Sequence, residues 1–310
     1  MAKEAPRKTP APPQRSAPQP QPSRSIVVKP SEITKAGESL VPDYLQLRGR
    51  APQGAENVEQ GDLIVPRLAL CQSGTPQRKK SDPRYIQGLE EGDFFNNVSG
   101  KNHGNKVNFI PVFFFRTRIL FNPMDDGGGI RCIATDATNG VGDPGGECLK
   151  CKYRGFGNGC TEFRNFAAIV VPEGGTPNLE DALVISFKST GSKAAKKLIT
   201  LNRTRNRDMF ATIYTMTCSE TTNDKGTFFV PDVEFCTEPT SVSANGKGIP
   251  PSWVSKDMYE VGKLVYKSMK AMQAAGTLRV DMSDEEGHDA AETGGDGGDT
   301  TFDPDEIESR

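Results

Sequence analysis

The sequence predicts a mainly β fold: a small barrel with a cysteine-bearing loop grown out of it, one internal helix and one C-terminal helix. Two observations carry this. The apolar runs Val107–Phe121 and Phe166–Val171 flank a Gly-rich polar insertion that holds Cys132, Cys148, Cys151 and Cys160. About seven short apolar runs are separated by turn residues, without the strand–helix alternation of a doubly wound sheet.

In chain order, the first thirty residues hold eight prolines and almost nothing apolar before Ile26. Such a segment cannot bury enough surface to offset its ordering entropy, so residues 1–31 are expected to be a disordered arm. A folded domain is expected over 32–280. Its first strand is Asp62–Cys71, which Pro66 assigns to an edge or a bulge. A basic loop follows, then a turn at Gly92–Val98 into a short strand, and then the run to Phe121, with a break expected near Pro111.

Beyond the cysteine insertion, 122–165, come Phe166–Val171 and Ala182–Phe187, separated by Pro172–Pro177. Ser189–Asn202 reads as a helix because Ala194, Leu198 and Leu201 recur at 3-to-4 spacing. Phe210–Thr217 and Thr227–Phe235 read as a hairpin across Glu220–Gly226. Ser252–Ala275 is an amphipathic helix, capped at Ser252 or Ser255, with Met258, Val261, Leu264, Val265 and Met269 on its inner face.

Charge is unevenly placed. Residues 281–310 carry 12 Asp/Glu and one Lys/Arg, whereas the first 280 carry 37 Lys/Arg and 28 Asp/Glu. A basic body with an acidic, Gly-rich tail that is disordered by composition sets the two parts in competition for the same partners. No apolar run approaches the ~20 residues of a membrane span, so no membrane partner is expected. The first thirty residues have basic charge but no apolar core and are not a secretory signal. With no export route, seven cysteines imply an intracellular, reducing compartment, the host cytoplasm if the protein is viral.

The cysteine spacing is Cys132-x15-Cys148-x2-Cys151-x8-Cys160. A Cys-x-x-Cys pair lets two sulfurs converge on one ion and supplies half of a tetrahedral site, so the expected cofactor is a structural Zn2+. A Gly-rich loop with few apolar residues has no core to fold around and gains most from a metal. The alternative is four free thiols, with Cys148 and Cys151 as a redox pair. His103 is the nearest other ligand type and reads as a surface histidine. Cys71, Cys218 and Cys236 lie in or beside apolar runs and read as core.

Cations and aromatics recur together. Tyr85 follows Arg78, Lys79, Lys80 and Arg84; Phe113 and Phe115 lie beside Arg116 and Arg118. Lys150, Lys152, Tyr153, Arg154 and Phe156 lie within the cysteine loop, and Phe163 adjoins Arg164. Lys193, Lys196, Lys197, Arg203, Arg205 and Arg207 form the most basic stretch. Cations that follow phosphates and flat rings that stack on bases are what sequence-independent binding of single-stranded nucleic acid requires. In an OB-type barrel they occupy one sheet face and its loops. The competing reading is that the Phe residues are core and the cations solvate an outer face.

This layout resembles phage-type single-stranded DNA-binding proteins. The matching parts are the cysteines from Cys132 to Cys160 and the tail from Asp281, within a resemblance that spans Asp62–Ala275 plus the tail. The resemblance implies an OB fold, a structural zinc beside the groove, and roles in DNA replication, recombination and repair. It also implies an acidic tail that recruits replication and recombination proteins, here through Asp299, Phe302, Asp303, Asp305 and Glu306, and competes for the groove. A homo-oligomer is compatible with it. Two departures stand out: zinc-bearing members can use a histidine, and Phe302 is not terminal but is followed by eight residues ending in Arg310.

A non-enzyme is expected. There is no phosphate-cradling Gly-x-x-x-x-Gly-Lys-Ser/Thr loop, and two histidines leave little scope for acid–base chemistry. Asp125, Asp126, Asp136, Asp143 and Glu147 sit among glycines, where turn-forming Asp is the commoner explanation. The alternative function is a zinc-stabilised adaptor or structural protein of a replication or virion assembly.

Overall fold

The apolar run from Val107 forms a single strand, β4 (Lys106–Phe121), around which the rest of the sheet is laid. The computed structural model describes residues 64–280 apart from 124, 125, 127, 156–158, 175, 176, 178–180, 225, 277 and 279, together with Gly54 and Asn57. The expected arm (1–31), the acidic tail, Asp125 and Phe156 therefore lie outside the described residues.

The remaining strands are β1 (Arg67–Leu70), β2 (Phe94–Asn96), β3 (Asn102–Gly104), β5 (Ile130–Ala134), β6 (Asn139–Gly142), β7 (Gly146–Glu147), β8 (Cys160–Val171), β9 (Ala182–Phe187), β10 (Tyr214–Asn223) and β11 (Gly226–Phe235). The helices are α1 (Ser192–Arg205) and α2 (Lys256–Ala274). The fold is thus mainly β, a mixed sheet of 11 strands with two helices. Its order is β3-β2-β1-β9-β8-β4-β5-β6-β7, with β10 also paired to β4 and β11 paired to β10. β1 and β9 run parallel; the other pairs are antiparallel.

β4 pairs with β8 along most of its length, from Asn108↔Val171 to Leu120↔Cys160. On its other edge the first residues pair with β10 and the last with β5. Pro111 does not break it. The register shifts between Pro111 and Phe113, so the residue without an N–H sits at a bulge, where a missing donor is tolerated.

The extra residue also changes which side chains face which layer. Val107 and Phe109 belong to the core under α1, and Phe114 joins that core after the bulge. Ile110 and Val112 pack with Met258 of α2, and Phe115 and Ile119 continue that side toward Met269 and Met272. The sheet therefore lies between α1 and α2.

α1 seats Ala194, Ala195 and Leu198 on Phe166, Ile185 and Phe187, the spacing the sequence predicted, and is shifted three residues C-terminal of the expected span. Its last turn is held by Arg205, whose guanidinium lies 3.9 Å from the Phe235 ring centre and 4.3 Å from that of Trp253. α2 begins at Ser255, whose hydroxyl accepts from Met258 N, as one of the two expected caps.

Several expectations change. β1 is not an edge: it starts just after Pro66 and lies between β2 and β9, and Pro66 contributes only its carbonyl, which accepts from Val184 N at 2.8 Å. The hairpin strands run to Asn223↔Gly226, through residues expected as a loop, while Phe210 forms a 3-10 turn before β10. The cysteine insertion is not plain loop but carries β5, β6 and β7.

β3 at one end of the order and β11 at the end of the β10 branch are not strand-paired to each other among the described residues. Gln72, just past β1, bridges toward β11 with its side-chain amide: Nε2 donates to Phe229 O and Oε1 accepts from Phe229 N, both at 2.8 Å. This imitates one rung of a ladder at an edge where Pro231 offers no donor.

Cys71 and Cys236 are buried and Cys218 is half-buried, in line with their reading as core. Burial pushes the Cys71 thiol up to about 11. Alkylation followed by mass spectrometry should find Cys71 slow through pH 9 and accelerating only toward pH 11; early labelling would place it outside the core. Folding favours the protonated thiol, so this contribution to stability is whole below its ordinary value of 9.0 and is lost as pH rises through about 11.

A Cβ on Gly262 of α2 would lie 2.7 Å from Phe210 Cβ. Gly→Ala inside a helix ordinarily gains up to ~1 kcal/mol, but crowding a packed core costs ~1–3 kcal/mol. Gly262→Ala is therefore expected to lower stability by about 1 kcal/mol in thermal unfolding; a higher Tm would show that α2 does not rest on Phe210.

Candidate nucleic-acid interface

After the bulge, alternate residues of β4 on the α1 side are Phe114, Arg116, Arg118 and Leu120. Their partners on β8 are Phe166, Arg164, Glu162 and Cys160. Directly paired residues share a sheet face, so this face reads as an aromatic pair, an Arg–Arg pair, an Arg–Glu pair and a Leu–Cys pair in succession. Arg118 and Arg164 converge on Glu162, one at each carboxylate oxygen, Arg164 at 2.8 Å. Arg164 also donates to Ser192 Oγ of α1 at 3.1 Å, which ties this floor to the start of the helix and to exposed Lys193.

At the other end of the floor lies the cysteine segment. Leu120 is paired with Cys132 on β5 and with Cys160 on β8, so the two strand cysteines flank it. Cys148 and Cys151 bound a 3-10 turn closed by Cys151 N donating to Cys148 O at 3.2 Å. Cys148 N donates to Thr138 O at 2.8 Å and Cys160 N to Tyr153 O at 3.2 Å, which lays the turn over the strands.

All four cysteines line one cavity of about 20 Å³, with Arg118, Leu120, Tyr153 and Arg154. That volume admits a water or a single ion and excludes an organic ligand. Gly140 makes room there, since a Cβ on it would lie 2.7 Å from Cys132 Sγ. Burial, and then the neighbouring cysteines, push the Cys160 thiol up against the pull of Arg118; burial does the same first for Cys148.

The four thiols are free, and a soft thiolate set is chemically suited to zinc. Leu120 keeps the two strand cysteines about two strand spacings apart, ~10 Å between Cα atoms. Among the described residues no three His, Cys, Asp or Glu side chains stand together as a metal-holding group. His103 lies on β3, at the far end of the sheet from β5–β7, and is half-buried, not a surface residue.

The sequence-derived binding residues separate into groups. Arg116, Arg118, Tyr153 and Arg154 gather around the floor and the cysteine cavity. Lys150 is exposed and pairs with Glu147 at 2.8 Å; the Lys152 ammonium lies 5.0 Å from the Tyr153 ring centre. Arg131, which the sequence did not single out, lies 5.3 Å from the same ring and donates to Asp143 at 2.8 Å.

Lys193, Lys196, Lys197 and Arg203 are exposed on α1, and Lys197 pairs with Asp232 of β11 at 2.7 Å. Arg207 follows the helix end and donates to Asn206 O. Arg78, Lys79, Lys80, Arg84 and Tyr85 form a second basic surface, on the loop that Gln72 ties to β11; there Arg78 pairs with Glu91 and Arg84 with Asp82.

Three residues are corrected. Phe115 is 4% exposed and packs in the core toward α2, so it is not presented to a ligand. Phe113 stacks on Phe115 and meets Tyr266 at a tilt in the same layer. Arg205 is held by Phe235, Trp253 and Ser252 Oγ, the last at 2.6 Å, and is a structural clamp. In each case the sequence showed the residue type but not the face.

Residues 35–275 match the Pam3 phage gp34-like protein family, a span that includes every strand and both helices. The chain belongs to that family. No curated protein and no solved structure matches it. A phage origin is thereby indicated for this gp34-like chain. No helix of its described residues is long and apolar enough to cross a membrane.

The Arg116↔Arg164 pair sets two like charges directly opposite each other, an arrangement that costs a sheet a few tenths of a kcal/mol or more. Arg116→Thr is therefore expected to raise stability by roughly 0.5 kcal/mol at low ionic strength, and the gain should fade in high salt. Paired melts at low and high salt check this; a salt-independent loss would mean that Arg116 serves the fold.

Proposed function

We propose that the chain is a non-catalytic, sequence-independent binder of single-stranded DNA that serves phage replication, recombination or repair. The observation that carries the reading is the like-charged Arg116↔Arg164 pair, with Arg118 beside it, on a sheet face that runs into Tyr153 and Arg154. Like charges directly opposite each other cost a sheet stability, and an anion lying along the face would offset that cost further than Glu162 beside Arg164 already does. Backbone phosphates would follow Arg116, Arg118 and Arg164, with Lys193 and Lys152 at either end, and Tyr153 would offer a ring for stacking. The sheet face would serve as an OB-like groove.

In this reading Cys132, Cys148, Cys151 and Cys160 would hold a structural Zn2+. Bound metal would supply the cross-link that the Gly-rich segment lacks in apolar contacts. The chain's own residues keep that segment over the strands through the Cys148–Thr138 and Cys160–Tyr153 backbone bonds. The acidic tail would compete for the same arginines and, through Asp299, Phe302, Asp303, Asp305 and Glu306, recruit replication or recombination proteins in the host cytoplasm.

A second reading, an adaptor or structural protein of a phage assembly, is favoured by one observation: Val141 and Leu149, in the cysteine segment, are 75% and 74% exposed. Such side chains suit a protein partner.

Fluorescence anisotropy of labelled oligo(dT) and duplex at low and moderate salt separates the two. Tight, salt-sensitive binding that prefers single strands is expected, with Arg116→Ala and Arg164→Ala each weakening it about 3- to 10-fold. Absence of binding at low salt, even after removal of residues 281–310, would leave the adaptor reading. With the main reading correct, that deletion tightens binding. Metal analysis should find one zinc per chain, lost in Cys148→Ser/Cys151→Ser.

A further inference from the structure

Glu162 stands in the middle of the arginine floor. Arg118 donates to its Oε2, while its Oε1 lies 2.8 Å from an Arg164 guanidinium nitrogen in an ion pair that is not aligned as a hydrogen bond, and Arg164 lies opposite Arg116. Guanidinium groups that face a carboxylate carry the same charge and donors with which arginines bind phosphate oxygens. The carboxylate also has no apolar function: it sits one rung from the Leu120–Cys160 pair and two from Phe114–Phe166, on strands whose register those rungs already hold. Its side chain is 16% exposed, and those of Arg118 and Arg164 are 12% and 21% exposed, so the three are partly shielded from solvent but not sealed from it.

We propose that Glu162 is a built-in stand-in for a nucleic-acid phosphate, which occupies the Arg118–Arg164 pair in the free protein and yields it to the strand on binding. This rests on the single-stranded DNA reading and deepens it. Without bound strand, Glu162 neutralises part of the like-charge cost of Arg116↔Arg164 and keeps both guanidinium groups aligned along the sheet. With strand bound, a backbone phosphate takes the same two donors. Association is then an exchange of one anion for another, and the floor gives up affinity for a preorganised, less adhesive surface.

The test uses the full chain. Glu162→Gln keeps the size and an acceptor oxygen but removes the competing charge. Anisotropy titrations of labelled oligo(dT) across a salt series should give about 3- to 10-fold tighter binding at low salt, with a log K against log[salt] slope close to that of the natural protein because the same phosphates are neutralised in both. Glu162→Asp, which keeps the charge, should stay near the natural protein. Glu162→Thr is neutral and suited to a strand; it replaces Gln if thermal melts show that Gln weakens the fold. Equal affinity in the neutral variant and the natural protein, both binding, would overturn the role of Glu162 and leave the DNA reading standing. No binding by either would overturn the DNA reading itself.

Discussion

The long ladder between β4 and β8, with its bulge at Pro111–Phe113, is the constraint on which the rest of this structure depends. One extra residue in β4 exchanges the faces of everything after it. Phe115 and Ile119 turn toward α2, while Arg116, Arg118 and Leu120 come to share the α1 side with Val107 and Phe109. Because side chains alternate strictly along a strand, a shift of one residue would bury the arginines among the aromatics. The bulge thus lets one continuous strand serve an apolar core at its beginning and a charged face near its end.

The cysteine segment depends on the same ladder. Cys160 opens β8 and Cys132 lies on β5, and both are placed by their pairing to Leu120 at the end of β4. The turn at Cys148–Cys151 then closes over them through backbone bonds to Thr138 and Tyr153, not through apolar packing. The segment exposes Val141 and Leu149 and has little core of its own, so its order rests on the strands beneath it. The arginine floor and the cysteine cavity are consecutive rungs of one ladder, with Arg118 belonging to both.

Much of the fold could be read directly. The 3-to-4 spacing of Ala194 and Leu198 marked α1, and the pattern through Met258 and Val265 marked α2, whose cap was open between Ser252 and Ser255 until the structure placed it at Ser255. Cys71 and Cys236 in apolar runs were rightly taken as core. What misled was local and specific. Pro66 pointed to an edge strand, but it lies just outside β1, where no donor is required. The polar Thr-rich end of β10 looked like loop because its residues face solvent on a two-stranded arm, where no apolar alternation is needed.

The candidate site was legible in kind but not in arrangement. Composition, charge placement and the Cys-x-x-Cys pair, all local features, determined that the chain would be mainly β, basic in its body and rich in thiols around one Gly-rich segment. Tertiary structure alone decided that Arg116 meets Arg164 across the sheet, that Glu162 lies between two arginines, that Phe113 and Phe115 are core, and that Arg205 is a clamp. Those outcomes turn on the register between residues some 48 positions apart, such as Arg116 and Arg164. Register is set by the summed packing of two layers and by a single bulge, and no short window of sequence contains that sum.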